Sequence, residues 1–216
     1  LGFFPEKTDY YELNHLFNIL QNRLPKYQNT IIRASKEYDI NPLFLIAIIY
    51  QESHFNPVAT SKTGVRGLLQ ITKTTAEELN IKNRLDPHAS ILGGAKYLHY
   101  LWQRLKKHEL SPWNRWYFAL AAYNQGWGHL IDAMTLAQQL GKNHKSWKDL
   151  KTVFPLLSSS KYYKQVKHGF SRGYEAVHYI DSIRYYYYIL NGLVVLSRPE
   201  SEHLAPLLAH IDHTWP

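Results

Sequence analysis

Apolar residues recur three and four positions apart along most of this chain, the spacing that lines one face of a helix. The pattern predicts helices over about 10–24, 28–38, 42–54, 74–79, 87–107, 112–124, 128–140, 147–153, 161–166 and 173–190. Asn41, Asp86 and Ser111 each place a side-chain acceptor just before a Pro, whose missing N–H costs nothing in a first turn. Thr72 reads as the cap of the short helix near 74–79, and Asn191-Gly192 as the stop of the last one. Over 55–72 the periodicity lapses. Asn56-Pro57, Gly64 and Gly67 there predict an irregular lobe, either a short hairpin or loops alone. Strand-like alternation is almost absent, so the expected class is mainly α. The expected organisation is a lead-in over 1–9, a single helical domain over 10–196, and a Pro-broken tail over 197–216.

One helix departs from the amphipathic rule. Leu43 to Tyr50 is apolar on nearly every side, which predicts burial in the core rather than a surface position. At its end stand Gln51, Glu52 and Ser53. A carboxyl group there meets both desolvation and the negative pole of the helix, and each favours the protonated form. A neutral carboxyl near neutral pH is what a general acid requires. The residues alone leave two readings open: a catalytic acid, or a Glu that reaches out to solvent from a helix end.

Composition narrows the field only in part. The chain has 216 residues, enough for a well-formed core, with 17 Tyr and 6 Trp. It has no cysteine, which excludes disulfides, thiol catalysis and thiolate metal sites. Its net charge of +8 suits a polyanionic partner without choosing among nucleic acid, an acidic membrane and an acidic polysaccharide. No apolar stretch reaches the length of a membrane-spanning helix. The opening Leu1-Gly2-Phe3-Phe4-Pro5 has neither initiator Met nor signal, the expectation for a mature or truncated form.

Four segments carry candidate chemistry. Gln51–Pro57 holds Glu52. In Ser61–Thr72, two glycines let backbone approach a ligand and Gln70 offers an amide. Ala119–Gly126 ends in Tyr123 and Asn124, an aromatic face and an amide suited to a sugar ring with its acetamido group. Arg172–Ile180 sets Glu175 and Tyr179 four apart, on one helix face. Singly, each also reads as a turn, a helix end or a core tyrosine.

In this order, the segments resemble the catalytic domain of lytic murein transglycosylases of the soluble-transglycosylase type, above all their membrane-bound F branch, from about Asp9 to Leu190. The most specific pieces are Ser61-x-Thr63-Gly64-Val65-Arg66-Gly67, Phe118–Asn124, Pro155–Ser158 with Tyr162-Tyr163, and Arg172-Gly173-x-Glu175-Ala176. The resemblance implies a lysozyme-like fold with Glu52 as the single acid/base. It implies that Ser53, Gln70, Tyr123, Asn124 and Tyr179 contact the glycan or orient Glu52, with Glu175 as a supporting acid beneath. It further implies cleavage of the MurNAc-β-1,4-GlcNAc bond with 1,6-anhydro ends, no cofactor and no metal. The expected setting is the periplasm at the outer membrane, as a monomer acting on peptidoglycan. Relatives of that branch carry an N-terminal domain similar to amino-acid-binding proteins, and Leu1–Tyr10 resembles the junction after it, the expectation for either a truncated form or a protein without that domain. Leu69 stands where many relatives have Met, a swap of similar volume.

The alternatives are a water-using muramidase or lysozyme, a catalytically silent glycan-binding module, and a nucleic-acid binder, for which no motif is present. No Asp or Glu lies between Glu52 and Glu77, and the lack of a second acid on that lobe favours the one-carboxylate route. Gly169-x-Ser171-x-Gly173 matches a nucleophile elbow but has no strand predicted before it. Of His203, His210 and His213, the last two lie in a Pro-broken tail without a carboxylate partner, so no metal site is expected. Tyr185–Tyr188 and most tryptophans read as packing residues.

Overall fold

The computed structural model describes residues 10–61, 64–196, 202 and 204–208; the lead-in and the tail histidines lie outside these. Among the described residues eleven α-helices follow in order: α1 (Tyr10–Asn22), α2 (Gln28–Tyr38), α3 (Pro42–Ser53), α4 (Lys73–Glu78), α5 (Pro87–Arg104), α6 (Pro112–Gln125), α7 (Trp127–Gln139), α8 (Trp147–Val153), α9 (Ser160–Tyr163), α10 (Gly173–Val195) and α11 (Ala205–Leu208). Among the described residues the irregular lobe contains only isolated bridges, Thr60 to Arg66 and Arg66 to Ile71, rather than strands. The chain forms two compact units, one of the described residues up to 97 together with those from 183 on, the other of residues 98–182.

In the first unit α3 is the core element. Every residue from Pro42 to Tyr50 is buried, as its all-apolar surface requires. The Asn41 side chain caps it, accepting from the N–H groups of Leu43 (2.9 Å) and Phe44 (3.3 Å). α2 packs on α3, and so does α11, whose Leu207 is fully buried together with Leu204 just before it. Phe44 meets Tyr187 edge to face, and Tyr50 meets Tyr186 in the same way at 4.6 Å. Leu69 is buried against Gly94 of α5, where a Cβ would lie 2.5 Å from its side chain.

The second unit is a bundle of short helices in which α6 packs on α7, and α7 on α8. Trp116 and Trp147 are buried there, as expected, while Trp102 and Trp127 are half-buried. Arg115 lies flat on Trp102 at 3.6 Å and Arg104 on Trp127 at 3.9 Å, so guanidinium faces cover the partly exposed rings.

Two cap expectations are corrected. Ser111 makes no side-chain bond to the α6 backbone, because its hydroxyl instead accepts from the Asn114 amide at 2.7 Å. Asn191-Gly192 does not close α10, which continues to Val195. The Asn191 amide bonds the Tyr187 carbonyl one turn back, and burial of Leu193 gains more than a glycine in the helix loses. Of the Tyr185–Tyr188 run, Tyr186 and Tyr187 are buried and Tyr188 is exposed.

Candidate active site

Glu52 lies in the last turn of α3, half-buried, beyond nine buried residues. The helix is stopped just past it by two consecutive left-handed residues, His54 (φ 48°) and Phe55 (φ 57°). Neither is glycine, so this turn carries strain that its surroundings offset. Phe55 is fully buried and stacks on Tyr27; the His54 ring stacks on Tyr50 at 4.7 Å and meets His15 at 5.3 Å. Arg23 donates to the His54 carbonyl at 2.9 Å, setting a cation against the negative end of α3. The position of Glu52 is thus over-determined by packing on both sides of it. Arg23 escaped the sequence reading, since its partner lies 31 residues away.

Ser53 is half-buried and its hydroxyl donates back to the Ile49 carbonyl at 3.2 Å. Gln70, in the same unit, has φ 43° and its amide nitrogen donates to the carbonyls of Gly67 (2.8 Å) and Ala59 (3.2 Å). These bonds tie the lobe to itself around Gln70. Two further residues brace the lobe and were also missed. The buried Ser90 hydroxyl accepts from the Leu69 N–H at 3.1 Å, and one nitrogen of Arg84 donates to the carbonyls of Gly64 (2.9 Å) and Ile71 (3.0 Å).

The second unit holds the remaining candidates. Tyr123, half-buried, and Asn124, exposed, end α6, where Gly126 at φ 94° turns the chain straight into α7. Glu175 and Tyr179 share a face of α10, Tyr179 buried and Glu175 paired with Arg172 at 3.3 Å. The two groups are linked: the Ser171 hydroxyl, just before α10, donates to the Gln125 side chain at 2.8 Å, at the end of α6. Asp132, buried within α7, accepts from the N–H groups of Lys167 (3.2 Å) and His168 (2.7 Å) and pins the approach to α10. An acid inside the apolar run Leu130–Met134 was the sequence signal for that role, the same kind that singled out Glu52. The elbow-like Gly169–Gly173 leads into α10 with no strand before it among the described residues, so the match is coincidental.

Three histidines, His54, His108 and His129, resist protonation. Burial lowers the pKa of His54, helped by His15, and lowers that of His108, helped by Lys107. Burial also lowers His129, whose Nδ1 sits 4.0 Å from Asp132, too far for a hydrogen bond. His54 is exposed, so the effect rests chiefly on the half-buried His108 and His129. A histidine with a folded pKa below its unfolded value of about 6.5 binds protons better when unfolded. Its contribution is therefore complete above about pH 6.5 and is lost as pH falls. The melting temperature is expected to drop between pH 7.5 and 5, and His129→Gln to flatten that slope. Thermal melts across the pH series check this.

Residues 29–146 match the family described as transglycosylase SLT domain. The chain is 49% identical over 182 residues to membrane-bound lytic murein transglycosylase F of Shewanella halifaxensis, covering 84% of this chain and 38% of that protein. It is 44% identical over 183 residues to the protein of the same name from Hahella chejuensis, covering 85% and 35%. It thus spans between a third and two-fifths of the length of these relatives. Among solved structures, it is similar to an inactive mutant of the lytic transglycosylase Slt from Pseudomonas aeruginosa, with a TM-score of 0.56 and 19% identity over 87% of this chain and 26% of that one. The 70 kDa soluble lytic transglycosylase of Escherichia coli follows, with a TM-score of 0.52 and 25% identity over 76% and 24%.

Proposed function

The chain belongs to the transglycosylase SLT domain family, and from that premise we propose that it is a peptidoglycan lytic transglycosylase with Glu52 as its one acid and base. The observation that carries the reading is the place of Glu52, half-buried at the end of a wholly buried helix and held by a braced, left-handed stop. A carboxyl group at this place can give its proton to the departing glycosidic oxygen.

The charge left at the anomeric carbon of the muramic residue is met by the substrate's own 2-acetamido group. Glu52, then a carboxylate, takes the proton of the C6 hydroxyl as that oxygen closes on the anomeric carbon. One bond breaks, one forms, and no water enters. Ser53 and the carbonyl oxygen of Gln70 are assigned to the glycan beside Glu52, since the Gln70 nitrogen is engaged within its own lobe. Tyr123, Asn124 and Tyr179 are assigned to binding sugar rings, and Glu175 to support as an acid outside the reacting atoms. The relatives' name, membrane-bound, supports action at a membrane, and the peptidoglycan substrate assigns that action to the periplasm at the outer membrane. No helix among the described residues is long and apolar enough to cross a membrane.

Product analysis tests the route. Sacculi digested in water enriched in oxygen-18 are expected to yield muramic ends one water lighter than hydrolysis products and free of label. Labelled reducing ends would assign the chain to a water-using muramidase instead.

A further inference from the structure

The first unit contains a cavity of about 280 Å³ lined by Arg66, Lys73, Lys82, Asn83 and Arg84 with Glu77, and by the apolar Ala76, Ile81 and Leu85. Four cations face one carboxylate, and that carboxylate lies 3.8 Å from Lys73 on an exposed helix surface, a weak pair. The charge around the cavity is strongly positive. Arg84 is anchored by the lobe carbonyls of Gly64 and Ile71 through a single nitrogen, and a guanidinium has further N–H donors to offer. Asn83 is fixed as well, its side chain accepting from the Leu85 N–H at 3.0 Å. The polar groups around the cavity are therefore partly preorganised, which reduces the entropy lost when a ligand is held. Arg66 comes from the lobe that carries Gln70, and its backbone pairs with Ile71 just beyond that residue.

We infer that this cavity receives a carboxylate of the acidic peptide branch that peptidoglycan strands carry. The inference rests on the glycan reading above and adds to it a second point of recognition, outside the reacting atoms. A carboxylate presents two acceptor oxygens to a fork of N–H donors, the match that arginine makes best. The apolar lining of Ala76, Ile81 and Leu85 suits the short aliphatic side chains of such a branch. Recognition of this kind lowers KM for strands that bear peptides relative to stripped ones.

The test is a titration of the intact chain with an N-acetylated stem tetrapeptide, followed by the amide resonances of Arg66 and residues 82–85, with inorganic phosphate in a parallel arm. The peptide is expected to shift these resonances. Lys82→Glu is expected to weaken binding about tenfold at low salt, and Glu77→Gln to tighten it several-fold, both effects shrinking in high salt. The ratio of kcat/KM on peptide-bearing to amidase-stripped strands is expected to move in the same directions. Saturable binding of phosphate with no response to the peptide overturns the assignment, as does no response to either. If neither kind of strand is cleaved, the glycan reading fails while the titration still decides the cavity.

Discussion

Glu52→Gln is expected to abolish glycan release while the protein remains folded. Gln keeps the volume and shape of Glu, and α3 draws its stability from the nine buried residues ahead of this position, so the melting temperature should barely move. The chemistry has no such reserve. A positioned acid or base contributes about 10²–10⁴-fold, and here one group serves in both halves of the reaction. A fall in kcat of at least ~10³-fold is therefore expected, with binding to glycan strands retained. Soluble muropeptide release from sacculi and a pull-down of the variant on the same sacculi measure the two parts. Undiminished release by the variant would remove Glu52 from the mechanism and leave the family assignment without its acid.

Gly67→Ala carries the second large effect, this time through the fold of the lobe. The φ of Gly67 is +82°, and an added Cβ would lie 2.1 Å from the Arg84 carbonyl oxygen and 2.7 Å from the Ser90 hydroxyl. Left-handed backbone costs a non-glycine residue about 1 kcal/mol, and an overpacked contact about 1–3 more. A loss of about 2–4 kcal/mol in urea denaturation is expected, together with a drop in activity as Gln70 shifts. Gly64 has nearly the same φ, +81°, with nothing within 4 Å of the added Cβ. Gly64→Ala should therefore cost only the dihedral part, about 1 kcal/mol. Equal effects at the two positions would show that the close approach to Arg84 and Ser90 carries no weight.

These two sites differ in how far the sequence disclosed them. Glu52 was legible because the signal is local: an acid ending an apolar run, with Asn41-Pro42 marking where the helix starts. Gly67 was legible only as a glycine in an irregular stretch. Nothing nearby in the chain points to Arg84 and Ser90, which lie 17 and 23 residues further on and make the glycine necessary. The end of α10 was misread for the same reason, since Asn191-Gly192 is a good stop by local chemistry and is overridden by the packing of Leu193.

The order of the helices from α1 to α10, the burial of α3 and the identity of the candidate acid were set by residue type and spacing, because a helix is a pattern of neighbours along the chain. Tertiary structure alone decided that Gln125 meets Ser171 across 46 residues and so joins the end of α6 to the start of α10. It alone decided that Arg23 closes α3, that Asp132 holds the approach to α10, and that Arg66, Lys73, Lys82 and Arg84 surround one cavity. Periodicity records which face of an element is apolar. Hydrogen bonds between distant residues depend on where whole elements come to rest, and no local pattern of residues encodes that.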